Sequence, residues 1–169
     1  DLFLVSGEIM LLEIHILGPD SGLTCTCNCG QFEYVPVEWD FATFLAIQTA
    51  TANGIIVVEA GGNGSMDLDS AIYGGWFNPS NDSGAIMVGA GLPGSHSPEC
   101  WTNSGSRINC HGWGSGIYTM GYFDLWWGTL DCTQDSTATF GGTSGASPMI
   151  VGASAALQGI AKNRYGITL

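Results

Sequence analysis

The amino-acid sequence predicts an α/β protein in which a mostly parallel β-sheet is flanked by helices. Residues 10–17 form a mostly apolar run that ends at a Gly-Pro pair, and residues 55–58 form a wholly apolar run. Short apolar runs of this kind are typical of strands buried on both faces of a parallel sheet. A helical pattern lies between the two runs, and a strand, a helix and a parallel strand in succession form a right-handed crossover.

The intervening helix is predicted to begin after Asp40, because a short acidic side chain favours the N-cap position. Phe41, Phe44 and Ile47 fall on one face of this helix, and Gly54 is expected to close it. The other predicted segments are extended chain or strand at residues 2–5, 85–90, 107–111, 117–120 and 137–140, and loop at residues 20–37 and 94–104.

The composition indicates one globular domain over residues 1–169. With 45% apolar residues, a chain of 169 residues is long enough to bury a sizeable core. Its only basic residues are Arg107, Lys162 and Arg164, and its formal net charge is -12, so we expect no binding to nucleic acid or to an anionic membrane. No apolar run reaches the roughly 18 residues that span a bilayer, and no basic signal-peptide region opens the sequence.

The cysteine content indicates an oxidising environment. Six cysteines allow up to three disulfides, which in an acidic, lysine-poor chain predicts a secreted, extracellular protein. Cys100 and Cys110 flank an extended excursion and are candidates for one bridge. Cys25, Cys27 and Cys29 occupy every second position of a loop, which favours disulfides from these cysteines to separate partners. The alternative is a metal site in which their thiolates are the ligands. The sixth cysteine is Cys132.

A candidate nucleophile lies in residues 142–148, with the sequence Gly-Thr-Ser-Gly-Ala-Ser-Pro, before an apolar run at residues 149–161. Proline is tolerated in the first turn of a helix, so a helix is predicted here, and apolar residues on nearly every side predict that it is buried. Ser144 then lies at a helix N-terminus, where unpaired N–H groups and the helix dipole favour an oxyanion. The alternative is that Ser144 only caps the helix.

Three stretches resemble the subtilisin-like serine proteases. Residues 142–148 match that family's nucleophile motif, Gly-Thr-Ser-x-Ala-x-Pro, at every fixed position. Residues 54–64 resemble the strand that leads to the family's oxyanion-hole asparagine, and residues 102–122 resemble the stretch between these two motifs. The resemblance covers roughly residues 8–165. It implies a three-layer subtilisin-like fold, of which this chain is the carboxyl-terminal portion, with the front part of the domain missing.

The resemblance also implies a serine endopeptidase in which Ser144 attacks the peptide carbonyl. Asn63 is then expected to bind the developing oxyanion through its side-chain amide, together with the backbone N–H of Ser144. An ordinary turn position before Gly64 is the alternative role for Asn63. If Asn63 lines the active site, Asn81 is the glycosylation sequon that remains as an acceptor.

The peptide or protein substrate is expected to lie between two edges of the chain, beside the carboxyl end of a strand, where open α/β sheets bind ligands. The predicted substrate-binding residues are His15, Ile16, Leu17 and Gly18 on one edge, Ala60, Gly61 and Gly62 on the other, and Thr143 beside the nucleophile. His15 is not expected to be the catalytic base, because the family's histidine opens a His-Gly-Thr helix further upstream. We expect His15 to line the groove or to pack, and His96 and His111 carry no motif.

Glu59 is an unusual carboxylate at the end of a buried apolar strand. Desolvation should either raise its pKa or be offset by a partner. One hypothesis is that Glu59 tunes the specificity pocket toward basic side chains, and the other is a structural hydrogen bond. Trp126 and Trp127 present a similar choice, between an exposed binding patch and buried anchors of a loop.

Two members of the expected triad have no match in this sequence. In that family, the catalytic Asp and His precede the nucleophile in the chain. Both are expected upstream of the family segment that corresponds to Asp1, where this sequence begins. We therefore expect a companion segment to supply them and the chain alone to be close to inactive. The alternative function is a non-catalytic extracellular module that binds peptide or glycan. No cofactor is identified, and calcium is suggested by the resemblance only.

Overall fold

A four-stranded parallel sheet forms the centre of the computed structural model, which describes residues 4–122, 125, 133 and 135–169. In chain order, these residues form β1 (Ile9–Leu12), β2 (His15–Leu17), β3 (Tyr34–Pro36), α1 (Phe41–Ala52), β4 (Ile56–Ala60), β5 (Ile86–Gly91), β6 (Cys110–Trp113), β7 (Ile117–Met120), β8 (Ser136–Phe140) and α2 (Thr143–Tyr165). The order across the sheet is β1-β4-β5-β6, and all neighbours are parallel. Strands β7 and β8 form a separate antiparallel pair.

Alternate side chains of the central strand β4 place the two helices on opposite faces of the sheet. Val57 packs in one cluster with Ile47 of α1, whereas Val58 packs in another with Ala146 of α2. This alternation follows from the two-residue period of a strand. The predicted arrangement of three layers, helix, sheet and helix, is therefore confirmed.

The start of α1 also agrees with the sequence. Asp40 is its N-cap, and Oδ2 of Asp40 accepts a hydrogen bond from the backbone N–H of Thr43 at 2.8 Å. Phe44 and Ile47 are the buried residues of the helix. The chain turns at Gly54, whose φ of +77° lies in the left-handed region that favours glycine.

The prediction of one strand over residues 10–17 is wrong. The run is interrupted at Glu13 and Ile14, so that β1 joins the parallel sheet while β2 leaves it and pairs antiparallel with β3. Strand β3 lies within residues 20–37, which the sequence predicts to be a loop. A short apolar run shows that a strand is buried, but it does not identify the partner strand.

Helix α2 is not buried on every side, contrary to the sequence prediction. One face packs on all four strands of the sheet through residues such as Ala146, which is wholly buried. Leu157 and Ile160, on the other side, are 59% and 52% exposed. Within the described residues, nothing covers this second apolar face.

The disulfides differ from the predicted pairing. Cys25 bonds to Cys29, and Cys27 bonds to Cys100, so the predicted bridge between Cys100 and Cys110 does not form and Cys110 is a free, half-buried thiol. The three closely spaced cysteines are all oxidised, which leaves no thiolates for the alternative metal site. Cys132, Trp126 and Trp127 lie outside the described residues, as do residues 2 and 3 of the first predicted extended segment. No helix in the described part of the chain is long and apolar enough to cross a membrane.

Candidate active site

Ser144 lies at the start of α2, as the sequence predicts, but it is not the cap. The N-cap is Gly142, which makes Ser144 the second residue of the helix. Its Oγ donates a hydrogen bond to the backbone carbonyl of Glu13 at 3.3 Å, just beyond the end of β1. Its backbone N–H has no acceptor within the helix, because the first turn of a helix leaves such groups unpaired.

Asn63 follows the carboxyl end of β4, and the first turn of α2 holds its side chain. Oδ1 of Asn63 accepts hydrogen bonds from the backbone N–H of Thr143 at 2.9 Å and from its hydroxyl at 2.8 Å. The hydroxyl of Thr143 in turn accepts from the backbone N–H of Gly62 at 3.2 Å. Because a backbone N–H can only donate, the atom of Asn63 that faces Thr143 is its oxygen, and the amide nitrogen points the other way.

The amide of Asn63 and the backbone N–H of Ser144 border one small space beside Gly142. A Cβ atom at Gly142 would lie 3.4 Å from Nδ2 of Asn63 and 3.6 Å from the backbone nitrogen of Ser144. Glycine leaves this position empty and adopts a φ of +111°, which other residues rarely reach. Asn63, Gly142 and Ser144 line the same cleft, and two donors beside one open space is the arrangement that an oxyanion requires.

Asn63 and Ser144 also line the same open cleft, of about 540 Å³. The cleft is bordered by Gln31 and by Trp101, which come from two loops that the disulfide between Cys27 and Cys100 joins. A second cavity, of about 490 Å³, meets the cleft at Ser144 and is lined by apolar residues that include Met149 of α2. Ser144 therefore lies where a polar cleft and a more apolar cavity join.

Most of the predicted substrate-binding residues lie away from this cleft. Ala60, Gly61, Gly62 and Thr143 are buried, and none of them lines the cleft or the second cavity. Strand β3 fills the space between β2 and the segment that follows β4. In this structure a peptide therefore cannot lie between the two predicted edges.

The glycines after β4 make room for β3. A Cβ atom at Gly62 would lie 3.1 Å from the carbonyl oxygen of Tyr34, and one at Gly64 would clash with the backbone of the same residue. Nδ2 of Asn103 ties the two segments together, because it donates to the carbonyl of Tyr34 at 2.9 Å and to that of Gly61 at 2.8 Å. On the other side, the carbonyl of Glu33 accepts from the backbone N–H of Gly18 at 2.8 Å. These glycines thus allow β3 to pack closely against the segment after β4, at the position where a substrate was expected.

His15 is a packed residue that contacts the oxyanion-hole candidate through the backbone. Nδ1 of His15 accepts a hydrogen bond from the backbone N–H of Asn63 at 3.4 Å, and its ring lies 4.6 Å from that of Tyr34. Burial lowers the pKa of His15, since desolvation disfavours the charged imidazolium. His15 has no hydrogen bond to Ser144, which agrees with the expectation that it packs or lines the groove.

Glu59 is fully buried behind the site, and its contacts favour the structural hypothesis. Oε1 of Glu59 accepts a hydrogen bond from the backbone N–H of Glu38 at 3.2 Å. Burial, reinforced by the nearby charge of Glu38, raises the pKa of Glu59 to about 8. The carboxylate of Glu38 lies 3.3 Å from the guanidinium of Arg107, which is itself buried. Glu59 thus holds the chain that follows β3 and lines neither of the two cavities at Ser144.

Similarity to known proteins agrees with this fold and with the sequence motifs. The model of the subtilase family matches residues 25–166. This chain belongs to the subtilase family.

Solved structures with the same fold include three proteases. A lanthipeptide protease superposes with a TM-score of 0.63 at 16% identity, a cold-adapted subtilisin-like serine proteinase with 0.58 at 20%, and a prenylagaramide maturation protease with 0.60 at 18%. The matches cover 96%, 96% and 93% of this subtilase and 50%, 44% and 45% of the other chains. The subtilase thus spans about half the length of the solved structures that it matches. No curated protein matches the sequence.

Gln31 lines the subtilase cleft, but it is not among the residues predicted from the sequence. Oε1 of Gln31 accepts hydrogen bonds from Nδ2 of Asn63 at 3.2 Å and from Nδ2 of Asn28 at 2.8 Å. Gln31 and Asn28 lie in the cysteine-containing stretch that is predicted to be a loop. The only hint is that Cys29 lies two residues before Gln31, because disulfides fix a loop in place.

No metal centre accompanies the site within the described ranges. No three His, Cys, Asp or Glu side chains of the described residues come together in a way that could hold a metal ion. Calcium binding therefore stays an expectation from the resemblance.

Proposed function

We propose that this subtilase chain carries the nucleophile and the oxyanion hole of a secreted serine endopeptidase. Ser144 attacks the carbonyl carbon of the peptide, and the developing oxyanion enters the space beside Gly142. There it accepts hydrogen bonds from Nδ2 of Asn63 and from the backbone N–H of Ser144. The single observation that carries this proposal is that both nitrogens lie beside Gly142, in the cleft that Asn63, Gly142 and Ser144 line together. Removing one donor of an oxyanion hole typically lowers kcat by about 10²–10³.

The proton of the Ser144 hydroxyl requires a base. In the described residues, the hydroxyl of Ser144 bonds only to a backbone carbonyl, which cannot take up a proton. We propose that an Asp-His pair outside the present sequence completes the triad, with histidine as the base and aspartate orienting it. Three features support a companion segment: the edge of β1 that no described strand pairs with, the apolar cavity beside Ser144, and the exposed apolar face of α2.

The substrate is proposed to be an extended peptide that adds to β2. Strand β2 pairs with β3 on one edge only within the described residues, so its other edge has unpaired N–H and C=O groups. A peptide that pairs along His15, Ile16 and Leu17 gains main-chain hydrogen bonds in the manner of an added strand. The scissile bond then lies in the polar cleft at Ser144. The disulfides Cys25–Cys29 and Cys27–Cys100 support an extracellular location.

The decisive experiment is labelling with a fluorophosphonate, which modifies only an activated serine. Native mass spectrometry first establishes whether a second chain accompanies this one. We expect one equivalent of label at Ser144 in the complete protein, no label in Ser144→Ala, and reduced labelling in Asn63→Ala. A folded, complete protein that does not react would contradict the protease proposal and would favour a module that only binds peptide.

A further inference from the structure

Gln31 connects the disulfide-linked loop to the oxyanion-hole candidate. Its side-chain oxygen accepts one hydrogen bond from Nδ2 of Asn63 at 3.2 Å and another from Nδ2 of Asn28 at 2.8 Å. Gln31, Asn28 and Asn63 line the same cleft as Ser144. None of the motifs that identify the nucleophile includes Gln31 or Asn28.

The geometry of the Asn63 amide gives Gln31 a specific task. Thr143 holds Oδ1 of Asn63 through two hydrogen bonds, at 2.9 and 2.8 Å, and these fix one end of the planar amide. Nδ2 carries two N–H groups, and Gln31 accepts from one of them. The remaining N–H is available to the cleft beside Gly142, where an added Cβ atom would lie 3.4 Å from Nδ2. With both ends of the amide held, this donor does not need to reorient when negative charge develops.

We propose that Gln31 is a positioning residue, which acts on the reaction through Asn63 by holding its amide in the orientation that binds the oxyanion. This inference rests on the proposed protease function. Preorganised donors stabilise a transition state more than mobile ones, because they need no rearrangement during the reaction. The side chain of Gln31 bonds to Asn63 and Asn28, whereas the hydroxyl of Ser144 bonds to the carbonyl of Glu13.

Gln31 can hold Asn63 only if the loop that carries it is itself fixed, and three kinds of contact fix it. The disulfides between Cys25 and Cys29 and between Cys27 and Cys100 enclose the loop before Gln31. Two residues after Gln31, the backbone N–H of Glu33 donates to the carbonyl of Gly64 at 3.1 Å. Strand β3 follows at once, and its Val35 is wholly buried. These contacts hold the loop as one wall of the cleft.

The test is steady-state kinetics of Gln31→Met in the complete, active enzyme. Methionine has a similar length but lacks the strong acceptor, so Asn63 stays while its second restraint is lost. We expect kcat to fall about 10-fold with KM unchanged, a smaller loss than the 10²–10³ expected for removing the donor itself. Gln48→Met, at an exposed position of α1, is the matched control and should leave both constants unchanged.

A double-mutant cycle separates positioning from a general structural role. If Gln31 acts only through Asn63, Gln31→Met should have no further effect on kcat in an Asn63→Ala background. Multiplicative effects of the two substitutions would overturn the proposal. So would an unchanged kcat in Gln31→Met, and so would an increase, which would mean that Gln31 blocks the donor.

Two further measurements distinguish a failure of the positioning role from a variant that does not fold and from an enzyme that is not a protease. If Gln31→Met does not fold, Asn28→Ala is the alternative variant, because it removes one of the two donors to Gln31. It should lower kcat, by less than about 10-fold. An unchanged kcat in Asn28→Ala would overturn the proposal. If the wild-type enzyme neither hydrolyses peptides nor takes up the fluorophosphonate, the protease function itself has failed. An active wild-type enzyme whose kcat does not respond to Gln31 contradicts the positioning role alone.

Discussion

Thr143 bonds twice to a single atom of Asn63, since its backbone N–H and its hydroxyl both donate to Oδ1, at 2.9 and 2.8 Å. The two residues are 80 positions apart in the chain, and their contact joins the end of β4 to the start of α2. Thr143 is only 1% exposed. The orientation of the proposed oxyanion donor therefore depends on a buried contact between two separate elements.

Thr143→Val should impair both stability and the reactivity of Ser144. Valine removes the hydroxyl that donates to Asn63 and leaves the buried N–H of Gly62 without its acceptor. We expect a loss of about 1–3 kcal/mol in the free energy of unfolding, measured with urea, because a buried unpaired donor retains its desolvation cost. Fluorophosphonate labelling of Ser144 should slow as well. Thr143→Ser retains the hydroxyl and is the control, and an equal loss in both variants would contradict the role of that hydroxyl.

Gly142→Ala should greatly reduce the reactivity of Ser144. The new methyl group would occupy the space bordered by Asn63 and Ser144, and the φ of +111° is unfavourable for alanine. We expect the rate of labelling at Ser144 to fall by about 10² or more, the scale for losing an oxyanion donor.

Gly152→Ala in α2 is the matched control for that substitution. A Cβ atom at Gly152 meets nothing within 4 Å, and alanine favours a helix by up to about 1 kcal/mol. Gly152→Ala should therefore label at the wild-type rate and be slightly more stable. Normal labelling of Gly142→Ala would show that the space beside Gly142 does not bind the oxyanion.

The sequence predicted the parallel sheet, both helices and the two residues that border the space beside Gly142. These features depend on local patterns: apolar runs, the N-cap at Asp40, and the motif around Ser144. Strand β3 and its pairing with β2 were not predictable in this way, because residues 20–37 carry glycine, cysteine and polar residues that are typical of a loop. The role of Gln31 was missed for the same reason, since its contact with Asn63 spans 32 positions.

The burial of α2 was overestimated because the apolar pattern of a helix does not identify what covers each face. Ala146 meets the sheet, whereas Leu157 and Ile160 are exposed in this chain. The disulfide pairing was also beyond the sequence. Proximity along the chain suggested Cys100 with Cys110, but the fold brings Cys100 to Cys27, across 73 positions.

Glu59 predicts a pH dependence of stability. Its pKa rises from an ordinary value of 4.5 to about 8 on folding, chiefly through burial. The folded state therefore binds a proton that the unfolded state releases between these pH values, and stability should fall as pH rises from about 5 to 8. Glu59→Gln cannot release this proton, so its free energy of unfolding should fall less steeply over the same range. Urea unfolding at several pH values measures both slopes.

The control for this experiment is Glu8→Gln, at an exposed carboxylate on the surface before β1. Its slope should match that of the wild type. Parallel slopes for the wild type and Glu59→Gln would contradict the burial of a protonated Glu59. Glu59→Gln also tests the specificity hypothesis. If the role of Glu59 is structural, this substitution should leave the ratio of kcat/KM for Arg and Leu substrates unchanged.

Loss of the disulfide between Cys27 and Cys100 should lower stability and activity together. The bond links positions 73 residues apart, and such cross-links typically stabilise a protein by about 2–4 kcal/mol through the unfolded state. The same bond holds the loop that places Gln31 on Asn63. In the double variant Cys27→Ser/Cys100→Ser, we therefore expect a lower urea midpoint and, under conditions where the protein remains folded, slower labelling of Ser144. Cys110→Ala removes the free thiol and is the control, with near wild-type values for both. A double variant that unfolds more easily but labels Ser144 at the wild-type rate would show that the bond stabilises the fold without positioning the site.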